Sequence, residues 1–342
     1  MFERRMPAEW ETHEKTILQW PVADSLVHPD NYTEVCDGYE ETIRAIQAFE
    51  PVGLIVDPEE MGALRKRLGE DIDLYPIPHN DAWARDSVPT IIVDKDGSRL
   101  GVDWKFNAWG EKYQPYDLDD ALGEKILAMT DIARERPDLV LEGGSIHSDG
   151  EGTILTTKEC LLNPNRNPGM SMEAIEEALK DHLGAKKVIW LEEGLDGDET
   201  DGHIDNIACF AAPGKVLLQV CRDPKDPNYA ITRRCLEVLD REVDARGRRL
   251  EVVEIEQPPY ATYRGKRATL SYLNFYFVND GLILPVFGGD AAQTDQKAME
   301  VLKDAFPQRG IATVNGWSLV KEGGNVHCIT QQIPKAAKEE RA

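Results

Sequence analysis

Glu142–Thr157 reads EGGSIHSDGEGTILTT, and half a chain later Glu322–Gln332 reads EGGNVHCITQQ. Both copies follow the glycine pair with an apolar residue and a histidine two positions on, but only the later copy ends in a cysteine, Cys328. A frame repeated at this distance predicts a repeated structural unit. Other polar motifs keep a similar spacing. With Asp86, Glu142, His203, Asn274 and Cys328 as markers, the gaps are 56, 61, 71 and 54 residues, each room for one strand-and-helix module. The spacing predicts about five modules, each delivering a polar loop to a shared centre.

The segments between these markers read as α/β. VGLIVD, TIIVD, GTILTT, KKVIWL, KVLLQV, LEVVEI and GLILPV are short, largely β-branched runs bounded by turn formers. YEETIRAIQAF, LDDALGEKILAMTDIA, SMEAIEEALKDHL, AITRRCLEVLDREVDA and QKAMEVLKDAF carry apolar residues near helical spacing. No linker or low-complexity block divides the chain, so residues 1–342 read as one domain. No G-x-x-x-x-G-K-[ST] is present and no G-x-G-x-x-G opens a helix after a strand, which removes the main support for a nucleotide-binding doubly wound sheet.

Composition narrows the function. A net charge of −23 argues against a phosphate-backbone partner and leaves a cationic small molecule compatible with the field. The opening MFERRMPAEWETHEK has no apolar leader core, and no run approaches bilayer length, so no membrane association and a cytoplasmic location are expected. The six cysteines, at 36, 160, 209, 221, 235 and 328, form no C-x-x-C pair; Cys160 and Cys209 read as small buried apolar groups.

Cys328 is the candidate nucleophile, but a thiol of ordinary pKa is mostly protonated at neutral pH and needs help. Its neighbour His327 faces the other way if the segment is extended, and it shares its frame position with His147, so it reads as part of the structural frame. A better base is His203 in GDETDGHIDN, two residues from Asp205; on a strand the pair shares one face, about 7 Å apart. A calcium-loop reading of the same stretch fails, because Asp201 falls where glycine is required and Ile207 where the bidentate glutamate belongs. A metal reading lacks a second histidine at helical spacing. In NDAWARDSVP, Asp86 is a further candidate, with ion pairing to Arg85 as its alternative; Asp81 reads as an exposed turn residue, and Trp83 as core filler or pocket wall.

Carboxylates beside a thiol raise its pKa, which suits a cationic substrate better than a neutral ester or amide. A guanidinium is planar, always charged and well held by carboxylates, and its arrival stabilises the thiolate.

The motifs MPAEWETHEKTILQWP, NDAWARDSVPT, VDWKFNAWG, LEGGSIHSDGEGTILTTKECLLNPNRNP, GDETDGHIDNIACF, SYLNFYFVNDGLILPVFG and EGGNVHCITQQIP together closely resemble the agmatine deiminases, the bacterial and plant type of peptidyl-arginine-deiminase-like protein. That resemblance spans nearly the whole chain. It implies the pentein fold, a five-bladed α/β propeller of ββαβ modules with pseudo-fivefold symmetry. It implies Cys328 as nucleophile, His203 as general acid and base, Asp86 and Asp205 as guanidinium ligands, and Glu142 as the group that orients His203. Trp83 is implied as pocket wall and Glu199 as a further substrate carboxylate. The implied reaction turns agmatine into N-carbamoylputrescine without metal or cofactor, and self-association is left open. The sequence departs from the family at Val88, where relatives usually carry glycine, and at Glu111 and Lys112 in a loop that is usually richer in glycine. Both departures bear on the pocket, and the loop with Trp109 reads as a lid. Rival readings are deimination of free or peptide-linked arginine, amidino transfer to an amine, a metal hydrolase, and a non-catalytic polyamine-binding protein.

Overall fold

Strand pairing in the computed structural model, which describes residues 4–27 and 30–336, repeats one pattern five times. An antiparallel pair is followed by a helix and then by a strand parallel to the second member. Thr90–Val93 and Arg99–Val102 take Ala133–Glu135, and Ile146–Ser148 and Thr153–Thr157 take Lys187–Leu191. Ala208–Ala212 and Lys215–Val220 take Glu251–Glu256, and Tyr276–Val278 and Gly281–Val286 take Gly310–Asn315. The remaining sheet joins both ends of the described chain: Gln331–Pro334 runs antiparallel to His13–Gln19, which takes Val52–Val56 and then Asp73–Pro76 in parallel. Five separate sheets therefore carry the expected ββαβ modules, and among the described residues no sheet closes on itself. Residues 1–3 of the opening segment, and the last six of the span read as one domain, lie outside the described residues.

Local chemistry explains the crossover helices. Met172–Leu183 starts at Ser171, whose side chain accepts the Ala174 N–H, and stops at Gly184 in the left-handed region, φ 71°. Pro227–Leu239 starts at Asp226, which accepts the Asn228 N–H, with proline in the first turn. Each buries one stripe at i, i+4, i+8, namely Ile175, Leu179, Leu183 and Ile231, Cys235, Leu239. These stripes cover sheets whose strands are nearly all buried, as expected where both faces of a sheet are packed.

The five marker residues occupy one topological position. Asp86 lies in the single turn Ala84–Ser87 before Thr90–Val93, and Glu142 precedes the 3₁₀ turn Gly143–Ser145 before Ile146–Ser148. His203 and Asp205 sit at the 3₁₀ turn Ile204–Asn206 before Ala208–Ala212. Asn274 precedes Tyr276–Val278, and Cys328 precedes Gln331–Pro334. A residue just ahead of the first strand of each module is thus delivered to the same place.

Candidate active site

Cys328 lines a pocket of about 330 Å³ with Trp83, Asp86, Trp109, Tyr113, Glu199 and Glu322. Its thiol sits 3.5 Å from Asp205 Oδ2 and receives the Asn274 Nδ2–H at 3.2 Å. Asn274 Oδ1 also accepts the backbone N–H groups of His327, at 3.0 Å, and Cys328, at 3.4 Å, so this one amide sets the loop that carries Cys328. From the other side the Arg85 N–H donates to the Cys328 carbonyl at 3.0 Å. Burial, with the Asp205 and Asp86 carboxylates adding to it, pushes the Cys328 thiol well above its ordinary pKa.

Asp86 is held by two donors: the Trp109 indole N–H reaches Oδ2 at 2.9 Å and the Gly144 N–H reaches Oδ1 at 3.1 Å. Burial, opposed by His203 and reinforced by Glu142 and Asp205, raises its carboxyl to about 6. Arg85 takes no part in fixing Asp86. Its Nη1 donates to Gln332 at 3.0 Å and its Nη2 lies 3.7 Å from Glu9. Asp205 behaves differently from Asp86. Burial works against its charge, but His327, His203 and Arg85 outweigh burial and hold it below the usual carboxylate range. His327 Nδ1 lies 2.9 Å from Asp205 Oδ2, whereas Asp205 Oδ1 is buried without a hydrogen-bond partner.

His203 is fully buried, and neither ring nitrogen makes a hydrogen bond. Its Nε2 lies 3.7 Å from Glu142 Oε2. Burial disfavours its charged form, but Asp86, Cys160 and Glu142 overcome this and raise its pKa well above the ordinary value. Glu142 stays ionised because Arg166 Nε donates to its Oε1 at 2.6 Å, which with His203 overrides the cost of burial. An imidazole with neither nitrogen hydrogen-bonded, paired at 3.7 Å with an ionised carboxylate, is equipped to trade protons with a ligand.

The glycines of the two frames now have steric reasons. A Cβ on Gly144 would lie 2.6 Å from His203 Nδ1 and 3.0 Å from both Asp205 Oδ2 and Asp86 Oδ1. One on Gly324 would lie 2.4 Å from the Trp83 ring and 2.9 Å from Cys328 Cβ. Each frame brings bare backbone against the centre at its second glycine.

Several sequence expectations need correction. His203 and Asp205 are not on a strand; a 3₁₀ turn brings them together. His327 and Cys328 also lie in a turn, and His327 belongs to the site's hydrogen bonds through Asp205 as well as to the frame. Asp81 is buried, and burial raises its carboxyl to about 7. Cys160 is buried in an apolar cluster as expected, and its thiol also lies 3.9 Å from Glu142 Oε2. Val88 does not narrow the pocket: it packs with Ile17, Ile55, Ala84 and Ile91 in a separate apolar cluster. The sequence reading assigned no role to Arg166, and Asn274 was marked only by its spacing. Among the described residues one group has metal-ligating geometry, Glu142, Cys160 and His203, with ligand atoms within 4.8 Å of one another. A divalent ion there would face the Arg166 guanidinium already seated on Glu142.

The lid segment wraps over this centre. Ala108, Trp109 and Glu111 have φ of 50°, 56° and 61°, conformations that glycine adopts without strain. Surrounding contacts impose them: Asn107 Nδ2 donates to the Asn165 carbonyl at 2.9 Å, Lys112 pairs with Asp201 at 2.8 Å, and the Tyr113 hydroxyl donates to Glu199.

A buried thiol, a histidine paired with a carboxylate and further carboxylates thus converge from repeated ββαβ modules. The Porphyromonas-type peptidyl-arginine deiminase family profile matches residues 5–334, and the chain belongs to that family. Within it, an agmatine deiminase of Pseudomonas aeruginosa (strain LESB58) is 42% identical over 362 aligned positions, covering 98% of this chain and 96% of that protein. Among solved structures, the agmatine deiminase of Enterococcus faecalis superposes with a TM-score of 0.92 at 38% identity, covering 97% and 96% of the two chains. A cysteine variant of the C. jejuni agmatine deiminase with substrate bound superposes with a TM-score of 0.89 at 30% identity, covering 98% and 97%. The fold is the pentein-type mixed α/β fold of these neighbours.

Proposed function

We propose that this chain is a hydrolase of C–N bonds in linear amidines, a single catalytic domain that converts agmatine to N-carbamoylputrescine and ammonia through a covalent intermediate on Cys328. The observation that carries this reading is the Cys328 thiol lying 3.5 Å from one ligand carboxylate, Asp205, in a pocket also lined by a second, Asp86. Alone, the two anions hold the thiol protonated. A guanidinium between them cancels their charge and favours the thiolate at the moment the electrophile arrives.

The thiolate attacks the guanidinium carbon. His203, charged and held against Glu142, gives its proton to the departing nitrogen, and ammonia leaves an S-alkylthiouronium. His203, now neutral, takes a proton from water; the oxygen attacks the same carbon, and the C–S bond breaks to return the thiolate and release the ureido product. The net change is one guanidinium and one water to one urea and one ammonium.

The pocket's carboxylates support agmatine over arginine. Glu199 and Glu322 line it, and among the described residues no lysine or arginine does; Arg264, Lys266, Arg267 and Lys321 line only the adjoining cavity that shares both carboxylates. Two carboxylates favour the free ammonium of agmatine and oppose the α-carboxylate of arginine. Trp83 supplies an aromatic wall along the chain between the two cations.

Replacing Cys328 with alanine is expected to abolish ammonia release from agmatine while leaving the circular dichroism spectrum unchanged; retained turnover would overturn the assignment. Comparing kcat/KM for agmatine, arginine and a peptidyl arginine, with and without an added amine acceptor, tests substrate and acceptor, and agmatine hydrolysis is expected to dominate.

A further inference from the structure

Beneath Cys328 lies a buried ionic chain that the proposed reaction does not use directly. His327 Nδ1 is 2.9 Å from Asp205 Oδ2, and its Nε2 is 2.8 Å from Glu9 Oε2. Glu9 is anchored in turn: Oε1 accepts the Phe277 N–H at 3.1 Å, and Arg85 Nη2 lies 3.7 Å from Oε2. All four side chains are no more than 5% exposed. An imidazole with a carboxylate on each nitrogen has two acceptors to satisfy, and only the doubly protonated ring can donate to both.

The other frame histidine provides an internal comparison. His147 holds the same frame position and also approaches Glu9, with Nε2 4.0 Å from Oε2. Its Nδ1, however, accepts the Phe210 N–H at 3.2 Å, which requires that nitrogen to be unprotonated. Burial, opposed by Glu9 and reinforced by His327 and Arg85, lowers its pKa to about 4. One repeated position thus holds a neutral ring in one copy and faces two carboxylates in the other.

We propose that His327 is a positioning residue: bridging Glu9 and Asp205, it fixes the charge and rotation of Asp205 so that one carboxylate oxygen is tied down and the other is left for the guanidinium. This rests on the reading of Asp205 as a substrate ligand. The titratable groups facing the bridge are Glu9, Asp205, Arg85, neutral His147, the Tyr276 hydroxyl, the Cys209 and Cys328 thiols and, beyond Asp205, His203 and Asp86. Burial and Arg85 oppose a charged His327, while Glu9 and Asp205 outweigh them and raise its pKa. In return the imidazolium lowers that of Asp205. Asp205 Oδ1, buried and without a partner, is the acceptor that remains.

The sign of the pH effect follows. Without the imidazolium, Asp205 loses an adjacent opposite charge and takes up a proton at higher pH. A protonated Asp205 binds a guanidinium poorly. His327→Gln is therefore expected to lower kcat/KM for agmatine by roughly 10- to 100-fold at neutral pH, the usual range for losing a support of a ligand group. Most of that loss is expected in KM, and the ratio of wild-type to variant kcat/KM should widen as pH falls. A residue that only stabilises the fold would give a ratio independent of pH, and that result overturns the proposal. Glu9→Gln, which keeps an acceptor for His327 but removes the charge, should show the same trend more weakly; it serves as the test if His327→Gln does not fold. A second arm needs no turnover. Long-range ¹⁵N–¹H spectra of histidine-labelled wild type should show His327 doubly protonated at pH 7.5 and His147 neutral. A neutral His327 at that pH overturns the proposal, even where agmatine proves not to be the substrate.

Discussion

The two glycine frames look alike but do different work, and the difference resides in single atoms. In the first, Glu142 ends 3.7 Å from His203 and Gly144 leaves room for three charged side chains; in the second, Gly324 clears Trp83 so that Cys328 can face the pocket. Gly144→Ala is therefore expected to displace His203 or Asp86 by the better part of an ångström and to lower kcat by about 10²-fold. Unchanged kcat would show that the backbone can give way. Cys328 allows a second test. Because burial and two carboxylates raise its pKa, alkylation by iodoacetamide in the free enzyme should titrate above the ordinary thiol value. A clean titration near pH 6 would contradict activation by substrate. Cysteine, histidine, carboxylates and tryptophan were legible because each residue type carries its own chemistry. Asn274 and Cys160 were not, since an amide or thiol acquires its role only from the partners the fold supplies.

At the scale of elements, apolar-rich strands were legible at the edges of sheets as well as inside them, and shorter or more polar strands were not. All seven apolar runs read as strands are strands, because an apolar run bounded by turn formers needs no partner to be recognised. Ile146–Ser148, Tyr276–Val278 and Gln331–Pro334 are three or four residues long, and they exist only through pairing with a neighbour. The reading of residues 118–133 as one helix ran too far: the helix breaks at Ala121, ends at Met129 and gives way to the strand Ala133–Glu135. The turns that carry His203 and Cys328 were read as strands because period-two spacing is also satisfied, over three residues, by a tight turn. The segment around Trp109 drew notice because Glu111 and Lys112 depart from a glycine-rich loop, and the Trp109 indole ties it to Asp86. Trp109→Phe keeps the ring and deletes that donor. Asp86, already raised to about 6, should then protonate at still higher pH, so the acid limb of kcat/KM should move upward while kcat at high pH changes little. An unshifted limb would show that the indole only packs.

Over the whole molecule, the charge of −23 and the joining of the chain's two ends set conditions that no single site explains. A strongly anionic body attracts a cation from solution, so kcat/KM for agmatine should fall with added salt while kcat holds steady. The joining of the ends leads to a more specific test. Gln331–Pro334 pairs with His13–Gln19, aligning Gln331 with Ile17 and Ile333 with Lys15. Cys328 stands just upstream, and Gln332 accepts from the same Arg85 whose backbone holds the Cys328 carbonyl. The final strand, buried at all four positions, therefore anchors the loop that carries Cys328. Ile333 is 3% exposed in the cluster with Ile17 and Ile55, and truncating it to alanine should cost about 2–5 kcal/mol if the chain unfolds as one unit. If instead the closing strand releases first, urea should remove activity of Ile333→Ala at lower concentration than it removes the far-ultraviolet signal, whereas the wild type loses both together. Anchoring by this strand requires that separation, because a loop tethered by four residues is the part whose loss stops the chemistry before the five modules come apart.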